Sequence, residues 1–258
     1  MSEPSKNAVI DMLRDLGFEC YDRSQWGSNQ ERAGAYARRA HTHPMPNGPA
    51  KYHFLHISVT TDTDTVKEGA AGAQQIERYG YSIPPMVSYQ DLVTNEAKYF
   101  QGQDYGTKGT HTMNDKNLAG FSENLNYDGY ACALMQNVQD AVTDDQVVLV
   151  AWIFAVREYV GFVKVGAPVY PHRKFAYKSC PGDRAMDRLP DIEKLKNKLV
   201  QELLSGKKKK KMTEEEAQML KDLHDLFFTA EDVVEANGTK KKRSLSQLIL
   251  ETWKARKG

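Results

Sequence analysis

"KYHFLHISVT", Lys51 to Thr60, is the stretch whose reading decides the fold class. Its aromatic and β-branched residues, running into a polar Thr/Asp turn, predict a β-strand. Side chains alternate faces along a strand. His56 therefore shares a face with Phe54 and Ser58, while His53 belongs to the opposite face.

Outward from this strand the pattern alternates between helix and strand. Val9, Ile10, Leu13 and Leu16 recur at three- and four-residue intervals and predict a helix over about Lys6 to Leu16. A second helix is expected from Val66 to Arg78. "MVSYQDLV" and "AKYFQG" read as a strand pair joined through "TNEA". "TDDQVVLVAWIFAVREYVG" predicts a helix with a Thr143/Gln146 capping box at its start and Gly161 at its C-cap. "PHRKFAYKSCPGD", Pro171 to Asp183, follows as a loop. In "LPDIEKLKNKLVQELLSG" a further helix is expected, with Pro190 near its start and Gly206 just past its end. The composition then changes at "KKKKK", Lys207 to Lys211, which divides a mixed α/β body, residues 1–206, from a basic helical tail, residues 207–258. The tail carries a Thr213/Glu216 capping box, an amphipathic helix to about Phe228, the run "KKKR", and a final helix with Leu245, Ile249, Leu250 and Trp253.

The 258 residues suffice for one sizeable core and an appendage. A net charge of +1 argues against wholesale attraction to nucleic acid or an anionic membrane. Three cysteines, Cys20, Cys132 and Cys180, are too few for a disulfide scaffold. No apolar run approaches the roughly 18–20 residues of a membrane span. No secretory signal is evident in "MSEPSKNAVIDMLRDLGFEC", so synthesis and retention in the cytoplasm are expected unless another agent releases the protein.

The loop "PHRKFAYKSCPGD" holds His172 and Cys180 with seven residues between them, and Lys178 two residues before the cysteine. A catalytic zinc takes three protein ligands and keeps a fourth position open. His172 and Cys180 can reach one metal from this loop, and His56 supplies a third ligand from the strand. Zinc lowers the pKa of bound water to roughly 7, and the oxyanion formed by attack on a carbonyl needs a positive partner. Lys178 is placed for that role. A phenol to hold the water or assist the leaving nitrogen would complete the set, and Tyr89 in "VSYQDLV" is the candidate.

"FLHISVT", "VSYQDLV", "KGTHTMNDKN" and "PHRKFAYKSCPGD" occur in the order seen in zinc-dependent N-acetylmuramoyl-L-alanine amidases, a family that includes phage endolysins and the peptidoglycan recognition proteins. The chain resembles that family over roughly Ala35 to Met186. "YARRAHTHP", "IERYGY" and "GTHTMNDK" resemble lysins of phages that infect actinobacteria. The resemblance implies a central mixed β-sheet flanked by helices, with one catalytic Zn2+ in a surface groove held by His56, His172 and Cys180. Tyr89 and Lys178 would be catalytic, and His111 and Asn117 would line the substrate groove. The family's segment here is Gly-x-His-Ala-like, whereas this chain has Gly-Thr-His-Thr. The implied reaction cleaves the amide between the lactyl group of N-acetylmuramic acid and L-alanine in peptidoglycan. An endolysin would also need a holin-type permeabilising partner to reach the wall. Two other readings stay open: a peptidoglycan-binding module without catalysis, and a cytoplasmic amidase that recycles muropeptides.

Each residue also has a plainer role. Cys180 could be a buried free thiol, His56 a hydrogen-bonded core histidine, Tyr89 a packing residue and Lys178 a surface cation. His41 and His43 in "HTHP" have the spacing of a metal pair but read better as solvated turn residues. Glu123 is an acid of the groove or a residue of the fold. The lysine runs are solvated linkers or an anchor on acidic wall polymers. With 13 Lys and Arg against 9 Asp and Glu from Lys207 onward, and no aromatic interleaving, the tail does not read as a nucleic-acid platform.

Overall fold

In the computed structural model the described residues are 5–28, 45, 48–58, 64–78 and 87–205. The histidines of "HTHP" and the whole tail from Lys207, with its expected helices and basic runs, lie outside them.

The strand around His56 forms as expected. It runs Tyr52–Ile57 (β2), one place in from the edge of a six-stranded sheet. The other strands are Cys20–Tyr21 (β1), Asp91–Val93 (β3), Tyr99–Gln101 (β4), Gly129–Leu134 (β5) and Val169–Pro171 (β6). Their order is β1-β4-β3-β5-β2-β6. β3 and β4 pair antiparallel, as a hairpin across the "TNEA" turn, and every other neighbouring pair is parallel. The architecture is mixed α/β, with helices on a mixed sheet.

The strand β5 had no counterpart in the sequence reading. Its residues, "GYACAL", are all buried. A parallel strand covered on both faces shows no alternation of polar and apolar residues, which is the pattern that betrays a half-exposed strand. β5 sits between β3 and β2, and Gly129 at its start has no room for a side chain: a Cβ there would strike the Phe54 ring and the Tyr52 carbonyl.

The helices are Ala8–Asp15 (α1), Arg23–Trp26 (α2), Val66–Arg78 (α3), Asp144–Tyr159 (α4) and Asp183–Leu204 (α5). The Thr143/Gln146 capping box closes the start of α4, and Gly161 takes a positive φ of 89° just past its end. α5 begins seven residues earlier than Pro190 suggested, so the proline lies inside the helix. The start is set by Gly182, at φ 88°, and by Asp183 in the first turn, where a carboxylate meets the positive end of the helix dipole. Pro190 is exposed, so the carbonyl partner lost to its ring can turn to water. "PHRKFAYKSCPGD" is more ordered than a plain loop: it takes in the end of β6 and a 3-10 turn, His172–Lys174.

The two faces of the sheet carry different contents. One buries Leu55, Ile57, Val93, Tyr99, Cys132 and Leu134 against α1 and α4, with Ile192 and Ala185 of α5. Two ionic groups sit within this apolar layer. Arg157 of α4 donates to the Asp91 carboxylate and to the Tyr130 and Ala131 carbonyls, and the Tyr99 and Tyr105 hydroxyls donate to Asp91. Glu158 accepts from Lys196 at 2.8 Å and lies 3.0 Å from His53 Nε2. His53 thus faces α4, away from His56, as the strand alternation requires. The other face packs Leu92, Phe100 and Ala133 against α2 and α3, and Phe54 and Ala131 against Phe175 and Leu125. His56 opens on that second face. Among the described residues, no helix is long and apolar enough to cross a membrane.

Candidate metal centre

His56, His172 and Cys180 come together from β2, the turn after β6 and the segment before α5. Their ligand atoms lie within 4.8 Å of one another, and Cys180 Sγ is 3.7 Å from His56 Nδ1. The imidazole rings of His56 and His172 have centroids 4.5 Å apart. Tetrahedral zinc at ordinary bond lengths separates its nitrogen and sulfur ligands by about 3.3–3.6 Å. The sulfur–Nδ1 pair already has nearly that spacing. Two imidazoles and one thiol also form the donor set that suits zinc among the common divalent ions. The residues fit such an ion.

The backbone holds these groups firmly. Arg173 N–H donates to the Cys180 carbonyl at 2.8 Å, closing the 172–180 segment on itself. The Arg173 guanidinium donates to the Ser179 carbonyl and pairs with Asp183. Ile57 N–H points at Cys180 Sγ, 3.3 Å away, so the end of β2 reaches the sulfur directly. The Cys180–Pro181 peptide is cis. Gly182 follows with its positive φ, and a Cβ there would come within 2.6 Å of the Val138 carbonyl oxygen.

Burial keeps the cluster neutral without a metal. It pushes the Cys180 thiol up to about 11, against the opposing pull of the Ile57 N–H, Lys178 and Arg173. Burial, and then the charge of Lys178, lower His172 to about 4 against the opposing pull of Asp115. His56 falls well below its ordinary value through burial, then through His172, His111 and Lys178. The arrangement is two neutral imidazoles and a thiol, ready to exchange one proton for a cation, because a coordinating thiol is deprotonated outright.

The other expected residues divide into those at the cluster and those apart from it. The Tyr89 ring lies 5.1 Å, centroid to centroid, from the His56 ring and is half-buried. Lys178 is exposed, yet its charge acts on all three cluster residues. His111 sits edge-on to His56 at 5.5 Å, but with 6% exposure its ring is turned into the protein, against Phe54. Asn117 is exposed at a tight turn with φ 50°, and its N–H donates to the Asn114 carbonyl. That turn is fastened to the His172 segment: Lys116 N–H donates to the Phe175 carbonyl and Lys116 Nζ to the Arg173 carbonyl. Glu123 is exposed and uses its carbonyl to accept from Asn114 N–H.

Two residues at the site had no place in the sequence reading. Thr112 Oγ1 lies 3.1 Å from His56 Nε2. Asn126 Oδ1 accepts from the N–H groups of both His111 and Thr112, at 2.6 and 2.8 Å. The second threonine of Gly-Thr-His-Thr was the visible signal for the first. Asn126, in "NLNYDG", carries none.

Neither a protein-family model nor a curated protein sequence matches the chain. Solved structures do. The chain is similar to Drosophila PGRP-LB, with a TM-score of 0.52 and 14% identity over 69% of this chain and 95% of that one. Apis mellifera PGRP-SA gives a TM-score of 0.52 and 15% identity over 64% and 91%. The peptidoglycan recognition protein complex of PGRP-LCa and PGRP-LCx, solved with tracheal cytotoxin bound, gives 0.51 and 12% over 65% and 92%. At such identities the likeness is one of architecture, and in architecture the chain has the mixed α/β fold of the peptidoglycan recognition proteins.

Proposed function

We propose that the protein is a zinc-dependent N-acetylmuramoyl-L-alanine amidase that cleaves the bond between the muramic lactyl group and L-alanine. The observation that carries this reading is the convergence of His56, His172 and Cys180, drawn from three separate segments, on one partly exposed point of a fold shared with peptidoglycan recognition proteins. A bound zinc would supply Lewis acidity and an activated water at neutral pH. The chain's own residues supply the rest. Lys178, exposed beside the cluster, stabilises the negative charge that develops on the carbonyl oxygen. Tyr89, with its ring against His56, holds the attacking water or passes a proton to the leaving nitrogen. The exposed turn at Asn117, fastened to the His172 segment through Lys116, offers a wall for the stem peptide.

The biological setting that agrees with the lysin-like stretches "YARRAHTHP", "IERYGY" and "GTHTMNDK" is a phage endolysin acting on an actinobacterial wall, released by a holin-type partner. The basic tail would then hold the enzyme on acidic wall polymers. The second reading is a binding module, favoured by neighbours of this fold solved with tracheal cytotoxin, which one of them describes as monomeric diaminopimelic acid-type peptidoglycan. Presence of the complete donor set with Tyr89 and Lys178 speaks for catalysis.

A soluble muramoyl peptide separates the two. Incubation with zinc-loaded protein, followed by mass spectrometry, should show free N-acetylmuramic acid and a peptide with a new L-alanine amino terminus. Saturable binding with the muramoyl peptide recovered intact would give the protein to the binding class and remove the enzyme reading.

A further inference from the structure

His56, Thr112 and His111 stand in a hydrogen-bonded line behind the cluster. Thr112 Oγ1 is 3.1 Å from His56 Nε2 and 2.9 Å from His111 Nδ1. All three side chains are buried, Thr112 to 2% exposure. A hydroxyl has one proton to donate and lone pairs to accept with, so it can accept a hydrogen bond from one ring and donate one to the other. The opposite nitrogen of His56, Nδ1, is the one that faces Cys180. For Nδ1 to offer a lone pair to a cation, the ring proton must sit on Nε2, where Thr112 accepts it. The Thr112 hydroxyl then donates to His111 Nδ1.

The hydroxyl is not free to leave this line. Asn126 Oδ1 accepts from Thr112 N–H and His111 N–H together, and Asn126 Nδ2 donates to Asn124 Oδ1 at 2.9 Å. The β-branch of threonine further restricts rotation about χ1. Backbone and side chain are thus both fixed.

We infer that Thr112 is a positioning residue: it holds His56 in the tautomer whose Nδ1 is bare and aimed at His172 and Cys180, with His111 as the acceptor that fixes the direction of the hydroxyl. His111 thereby acts from behind the ligand. This rests on the metal reading of the same site but makes a claim about His56 that can be read without any metal. Outer partners of this kind change metal affinity by about 10- to 100-fold when removed.

Thr112→Val keeps the shape of the side chain and removes the hydroxyl; Thr112→Ser keeps the hydroxyl. Ring-nitrogen NMR of the metal-free protein should show His56 protonated at Nε2 in the wild type and in the Ser variant, and a mixture of tautomers in the Val variant. Zinc affinity, by competition with a chromophoric chelator, should fall about 10- to 100-fold in the Val variant and return with Ser. A Val variant with the wild-type tautomer would overturn the inference. So would equal losses in Val and Ser, which mark packing alone. A wild type that binds no zinc, with a tautomer that still responds to Val, would uphold the role of Thr112 and remove the metal reading instead.

Discussion

Cys180 Sγ lies 3.7 Å from His56 Nδ1, although the two are 124 positions apart in sequence. The pairing joins the C-terminal end of β2 to the segment that launches α5. A cation held there would cross-link the sheet to that segment, and only in the folded chain. Zinc should therefore raise stability, by about 2.7 kcal/mol at a free concentration 100 times the dissociation constant. Thermal unfolding with and without zinc measures this. Cys180→Ala should lose the increment while folding in its absence.

Uptake of zinc must also displace the Cys180 proton, since burial holds the thiol protonated up to about pH 11. Zinc affinity should therefore rise with pH through the neutral range, approaching tenfold per unit for the one proton released, once the histidines are neutral. Calorimetric titration in buffers of different ionisation enthalpy counts that proton.

Lys178→Met should leave the zinc affinity nearly unchanged and lower kcat by about 10²- to 10³-fold, the usual effect of removing one oxyanion partner. Steady-state kinetics on a muramoyl peptide, together with zinc content, separates this from loss of the metal.

Gly182→Ala should weaken the site from behind. It adds a Cβ within 2.6 Å of the Val138 carbonyl oxygen, at a φ of 88°. Strain of this kind costs about 1–3 kcal/mol, and here it falls two residues from Cys180. Urea unfolding and zinc titration of the variant should both shift.

On the opposite face of the sheet, burial holds His53 down at about 3, despite the Glu158 carboxylate beside it. The unfolded histidine titrates near 6.5. Between those values the unfolded chain binds a proton that the folded chain refuses, so the stability is present above about pH 6.5 and is lost as pH falls toward 3. The slope is about 1.4 kcal/mol per pH unit for each such proton. His53→Gln should flatten the acid limb of the urea midpoint, measured in chelator, by one proton's worth. His56, His111 and His172 contribute to the remainder.

The parts of this molecule written in local pattern were legible from sequence. β2 announced itself by composition, and the α4 start by Thr143 and Gln146. The three donors of the cluster were candidates by residue type and by the lysine beside the cysteine, but spacing alone is weak evidence, and their choice as a set rested on the resemblance in the order of the motifs. What was not legible depends on pairing between distant segments. β5 lacks alternation because both its faces are covered. Arg157 meets Asp91 across 66 positions, and neither residue carries a local mark of its burial. Thr112 acquires its role only when β2 brings His56 against it. Pro190 misled because a proline that starts a helix and one tolerated on its exposed side look alike in sequence.

The measurement closest to the central claim is a digest of purified actinobacterial peptidoglycan, with and without chelator, scored for new L-alanine amino termini and for new reducing sugar ends. The account predicts release of L-alanine amines that stops with chelator and returns with zinc, and no new reducing ends. Reducing ends without amines, or tight binding to the wall with neither product, would contradict it.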